Sequence, residues 1–90
     1  NKKEKNMAIT KETLIGKMEI VGEFKSVQVR TDTVLKEDGT ELSRSFHRHV
    51  LHPDADITNE DSEVKAVCNA VWTDKIKADY ETFKANQENN

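Results

Sequence analysis

The sequence holds one cysteine, one proline and three glycines among 90 residues, and only 6% of it is aromatic. A lone Cys68 excludes an intrachain disulfide and fits a reducing compartment, or indifference to redox. No glycine-rich nucleotide cradle and no catalytic motif stands out. No apolar run approaches the ~20 residues that a membrane-spanning helix needs. The basic start leads into no apolar stretch of the kind a signal peptide carries. An excess of positive charge is missing too. A net charge of −3 argues against a general nucleic-acid binder.

What is present is patterned. Apolar and charged residues each make up 34% of the chain, and the apolar ones recur at regular spacing. That regularity reads as an ordered chain. Ninety residues make one domain with a thin core. A thin core in an ordered chain predicts that some apolar surface is buried against another copy, hence a homo-oligomer.

The segment Asn1–Asn6 has no apolar residue and precedes Met7. Lys3-Glu4 can be encoded by a purine-rich ribosome-binding sequence, with Lys5-Asn6 as an A-rich spacer. Residues 1–6 therefore read as a non-native or disordered extension, with Met7 as the natural start. Residues 7–86 are expected to form a single α+β domain, and residues 87–90 a frayed tail.

A first strand is expected near Ile15 to Phe24, with Met18, Ile20 and Phe24 on one face and a bulge or bend at Gly22. Ser26–Lys36 and Glu41–Leu51 both alternate, and Asp38-Gly39 between them suits a type I′ hairpin turn. A two-residue loop sets Leu35 opposite Leu42, Thr31 opposite Phe46, Val29 opposite Arg48 and Arg30 opposite His47. That register collects one mostly apolar face and one polar face. Pro53 ends the hairpin. Thr58 is the expected cap of a helix, with Asp61 as its capping-box partner. Val64, Val67, Cys68, Val71 and Trp72 follow helical spacing, and Ile76, Tyr80 and Phe83 continue the stripe. Thr73-Asp74 reads as a break between two helices. The fold expected is α+β: a three-stranded antiparallel meander followed by one or two C-terminal helices packed on one face.

The candidate sites are few. His47 and His49 lie on one strand face with the spacing of a shared metal pair, but two ligands fall short of the usual set. No metal or cofactor is therefore assigned. The same histidines also offer a pH-responsive surface beside Arg30, Arg44 and Arg48. Arg30, Arg44, His47, Arg48 and His49 form a weak binding patch. In the expected register Arg30 lies on the opposite face from Arg44, Arg48 and Phe46, so the basic-plus-aromatic pattern of single-strand binders is incomplete. Charge pairing with the acidic segment Asp54–Glu63 is the plainer reading. Asp54-x-Asp56 lacks the glycine and spaced glutamate of a calcium loop. Cys68 reads as core. Trp72, Tyr80 and Phe83 read as core or interface anchors.

Ser45-Phe46-His47-Arg48-His49-Val50-Leu51, Ala70-Val71-Trp72-Thr73-Asp74 and the start Met7-Ala8-Ile9-Thr10-Lys11-Glu12 resemble short uncharacterised proteins of marine bacteriophages and ocean metagenomes. The resemblance spans Met7 to about Asn86 and carries over no catalytic or binding residue. It implies a viral or marine bacterial origin, and a place in the bacterial host cytoplasm or the virion. The expected function is a small non-enzymatic phage structural or assembly protein, partnered by its own copies and other virion proteins and not by a membrane. The alternatives are a nucleic-acid-associated or regulatory module using the basic patch, and a metal-dependent enzyme at His47 and His49.

Overall fold

A computed structural model describes residues 8–88. The expected extension, the proposed start at Met7 and the last two residues lie outside the described residues. Three strands, β1 (Ile9–Val21), β2 (Ser26–Glu37) and β3 (Thr40–Leu51), precede two helices, α1 (Ser62–Val71) and α2 (Asp74–Glu88). The strands form one antiparallel sheet in the order β1-β2-β3. This is the expected α+β meander with two helices after it.

The first strand is longer than its sequence suggests. β1 begins at Ile9, so Ile9–Leu14 pairs with β2 as strand ahead of the start expected near Ile15. The bulge or bend expected at Gly22 is divided between two glycines. The bulge falls at Gly16, between the Ile15–Thr31 and Lys17–Arg30 pairs. Gly22 opens the β1–β2 turn with φ +83°, closed by Lys25 N–H donating to the Gly22 carbonyl at 3.2 Å. Phe24 therefore leaves the strand and packs its ring against Tyr80 and Phe83 of α2, at 5.6 and 5.0 Å between centroids.

Asp38 and Gly39 form the expected two-residue turn, with φ of +51° and +86°. Both signs match a type I′ hairpin, whose twist suits the flanking strands. Two residues later the register departs from the simple hairpin. Lys36 pairs with Glu41 and Leu35 pairs with Ser43, which leaves Leu42 as an extra residue in β3. A one-residue insertion turns every later side chain to the other face. The pairs that follow are Asp32–Phe46, Thr31–His47, Arg30–Arg48 and Val29–His49. The expected pairs of Thr31 with Phe46, Val29 with Arg48 and Arg30 with His47 are thus corrected.

The core sits at the end of the sheet that carries the β1–β2 turn. Val27, Val29 and Leu51 from the sheet meet Val64, Cys68 and Trp72 from the helical segment, with Ile15, Met18, Val67, Val71 and Ile76 packed around them. Trp72 Nε1–H donates to the Lys25 carbonyl at 2.7 Å, tying the end of α1 to that turn. Asp61 caps α1 by accepting from Glu63 N–H at 2.8 Å, where Thr58 was expected. Thr58 instead closes a small turn on Asp56. The break at Thr73 is real, and its hydroxyl accepts from Ile76 N–H at 3.2 Å as a cap for α2. α2 runs on through Gln87 and Glu88, two positions that the sequence reading places in the tail.

Strands of 12 and 13 residues are about 40 Å long. The packed helical residues meet the sheet only near its β1–β2 end, so the Asp38-Gly39 end projects beyond them. The Cα trace measures 69 × 24 × 18 Å.

Candidate functional site

The bulge at Leu42 decides which side chains share a face. The face turned from the helices carries Lys17 and Glu19 from β1, Gln28, Arg30, Asp32 and Val34 from β2, and Arg44, Phe46, Arg48 and Val50 from β3. Arg30, Arg44, Arg48 and Phe46 are therefore together, where the expected register divided Arg30 from the other three. The histidines go the other way. His47 and His49 lie on the helix-side face opposite Thr31 and Val29.

Asp32 is the centre of the outer face. It is the buried charged residue among the described residues, with 0% of its surface exposed. Arg30 Nε and Nη2 donate to its two carboxylate oxygens at 2.9 and 3.1 Å, a bidentate fork. Arg44 Nη1 donates to Oδ2 at 2.9 Å, and the same guanidinium forks onto Glu41 at 2.9 and 3.1 Å. Burial pushes the Asp32 carboxyl up, and the hydrogen bonds and charges of Arg30 and Arg44 outweigh it, so the group ends below its ordinary value. The Arg44 hydrogen bonds hold Glu41 below its ordinary value as well. Arg44 is pushed up in turn by Glu41 and Asp32. The carboxylate has its room because Gly16 lies over it: a Cβ there would be 2.4 Å from both Asp32 oxygens. The β1 bulge and the missing side chain at Gly16 are thus fitted to one buried charge.

Phe46 lies over the next part of this face, 51% exposed. The Arg30 guanidinium carbon stands 4.7 Å from its ring centroid, and that of Arg48 5.9 Å. Beside Arg30 and Arg48 is a depression of about 260 Å³, lined among others by Lys17, Glu19, Gln28 and Val50.

The histidines do something different. His49 Nε2 meets Glu60 Oε1 at 2.9 Å, and the His47 ring stacks over it with centroids 6.1 Å apart. His49 thus links the sheet to the loop before α1, and the arginines expected beside it face away. Among the described residues, no three His, Cys, Asp or Glu side chains gather as a metal site. His52 Nδ1 contacts the Ser26 hydroxyl at 2.9 Å and its ring stacks on Tyr80. Asp54 holds Lys84, so one acidic residue of the connection pairs with α2 and not with the arginines. Burial pushes the Cys68 thiol up, with a further contribution from the Glu60 charge. It is a core thiol.

Of the expected interface anchors, Trp72 is only 6% exposed within the single chain, so it serves the core and offers a partner almost no surface. Tyr80 and Phe83 line the seam between α2 and Phe24, and Phe83 remains 41% exposed. Asp32 and Gly16 are the residues that sequence reasoning misses. The one available signal was an aspartate inside an alternating Val/Thr strand, two residues from an arginine on the same face. Comparisons with protein-family models, with curated proteins and with solved structures give no match.

Proposed function

We propose that the chain is a non-enzymatic structural or assembly protein that works as a homo-oligomer joined through its uncovered sheet. The observation that carries this is the distribution of apolar surface. Of the nine large hydrophobic residues left exposed among the described residues, eight lie on strands: Leu14, Val21, Phe46 and Val50 on the outer face, Ile9, Ile20 and Leu35 on the helix-side face, and Leu42 at the bulge. Each strand face is about 14 by 40 Å, a planar area of roughly 600 Å². That approaches the ~800 Å² of accessible surface that each partner gives to a stable interface. The helices cover one end of one face, and among the described residues no further strand pairs with either long edge. Open edges and exposed β-branched residues favour pairing with another chain.

The resemblance to marine phage proteins favours a role for such an assembly in the virion or its construction, among other virion proteins. On the outer face Arg30, Asp32, Arg44 and Glu41 are joined in one charge network, and among the described residues of that face no nucleophile stands paired with a base. Size-exclusion chromatography with light scattering tests the proposal. A dimer or higher species at micromolar concentration is expected, shifted toward monomer by Leu42→Lys with Phe46→Lys. A monomer of 10.3 kDa at that concentration overturns it.

A further inference from the structure

The register places three cations in one row. Lys17 pairs with Arg30, and Arg30 pairs with Arg48, so the row crosses all three strands on the outer face. Neighbouring strands lie about 4.8 Å apart, which puts the outer two positions near 10 Å from each other. Like charges directly opposite each other destabilise a sheet. Arg30 is offset by Asp32, but among the described residues Lys17 and Arg48 have no ion-pair partner. In a chain of net charge −3, such a row is an exception to the surrounding charge.

We propose that this row is a binding site for a small phosphate-bearing molecule, on the same sheet face as Phe46 and Val50 of the surface proposed for self-association. The depression of about 260 Å³ opens against it, and Gln28 adds a side-chain amide that can donate. The Arg48 guanidinium fork matches phosphate oxygens, and Lys17 adds a point charge. The Phe46 ring beside Arg30 and Arg48 limits their freedom before a ligand arrives. Glu19 is the one carboxylate among the lining residues; with Arg30 offset by Asp32, Lys17 and Arg48 outweigh it by a net +1. The geometry favours a small anion over a nucleic-acid strand. The next cation along the sheet, Arg44, is already neutralised by Asp32 and Glu41, so no basic track continues from the row.

The test is an amide-resolved NMR titration of the whole chain with inorganic pyrophosphate, and separately with inorganic phosphate, at constant ionic strength. Saturable shifts are expected at Lys17, Gln28, Arg30 and Arg48, with affinity at least tenfold weaker in Arg48→Gln. Arg48 makes no ion pair among the described residues, so that variant should keep a native spectrum; Lys17→Gln gives a second variant with the same expectation. Four results overturn the proposal. They are no saturation by roughly 10 mM pyrophosphate, ten times a millimolar Kd; equal shifts with sodium chloride; saturable binding of a single-stranded oligonucleotide but of neither phosphate probe; and a loss of self-association in Arg48→Gln without any phosphate binding, which would make the row a contact between copies.

Discussion

Gly16→Ala isolates the logic of the outer face. Gly16 is not at positive φ, so alanine fits its backbone. On backbone grounds alone the substitution should stabilise by about 0.4–1 kcal/mol, because it restricts the unfolded chain. The structure reverses the sign. The added methyl would lie 2.4 Å from both oxygens of Asp32 and 2.5 Å from its carboxyl carbon. Asp32 has little freedom to yield, since Arg30 and Arg44 hold it from two sides. Overpacking of this kind costs about 1–3 kcal/mol. In a chain of this size, a net loss near 2 kcal/mol lowers Tm by roughly 8–16 °C. Urea and thermal denaturation of the variant measure it. The control is the same change in an Asp32→Ala background, where the carboxylate is gone and the methyl has room. There Gly16→Ala should be neutral or slightly stabilising, and the difference between backgrounds is the coupling. A Gly16→Ala protein as stable as the parent, or an equal loss in both backgrounds, would refute the reasoning.

Three further outcomes follow from the same contacts. Asp32, Glu41, Asp54 and Asp56 all bind protons more weakly folded than unfolded, so their contribution is present above the unfolded values of 3.8 to 4.5 and is lost as pH falls through the lower folded ones. Denaturation midpoints should hold from neutral pH to about 5 and drop below it; a stability that rises toward pH 3 would contradict this. Trp72→Phe removes the donor to the Lys25 carbonyl and should cost about 1–3 kcal/mol in denaturant titrations, with an unchanged midpoint as the contrary result. Cys68 is 0% exposed, so it should react with a thiol reagent such as DTNB only on unfolding, and rapid labelling of the native protein would show that α1 is not packed as described.

Much of the fold is legible in the residues. Asp38-Gly39 sets a hairpin, the Val64–Trp72 stripe sets a helix face, and Thr73-Asp74 divides two helices, because each signal is local. The site was not legible, because it depends on Leu42. One extra residue in β3 is invisible to alternation: Glu41–Leu51 alternates equally well in either register, and the wrong one even collected a more apolar face. With the register goes the side of Arg44, Phe46, Arg48 and both histidines. Gly16 failed in the same way. Read alone it weakens a strand; its reason is a carboxylate 16 positions away that only the β1–β2 pairing brings beneath it. The spacing of Trp72 marks it as an anchor, but spacing cannot tell a partner's surface from the chain's own β1–β2 turn.

Both the buried Asp32 network and the cation row stand on the β2–β3 register, so that pairing is the point to measure. Cross-strand backbone NOEs in the labelled protein resolve it directly. The pairs expected are Val29 with His49, Arg30 with Arg48 and Asp32 with Phe46, with Leu42 lacking a partner on β2. NOEs joining Val29 to Arg48, Arg30 to His47 and Leu35 to Leu42 would show an unbulged hairpin. They would move Arg48 and Phe46 to the helix side, and the outer-face site would not exist.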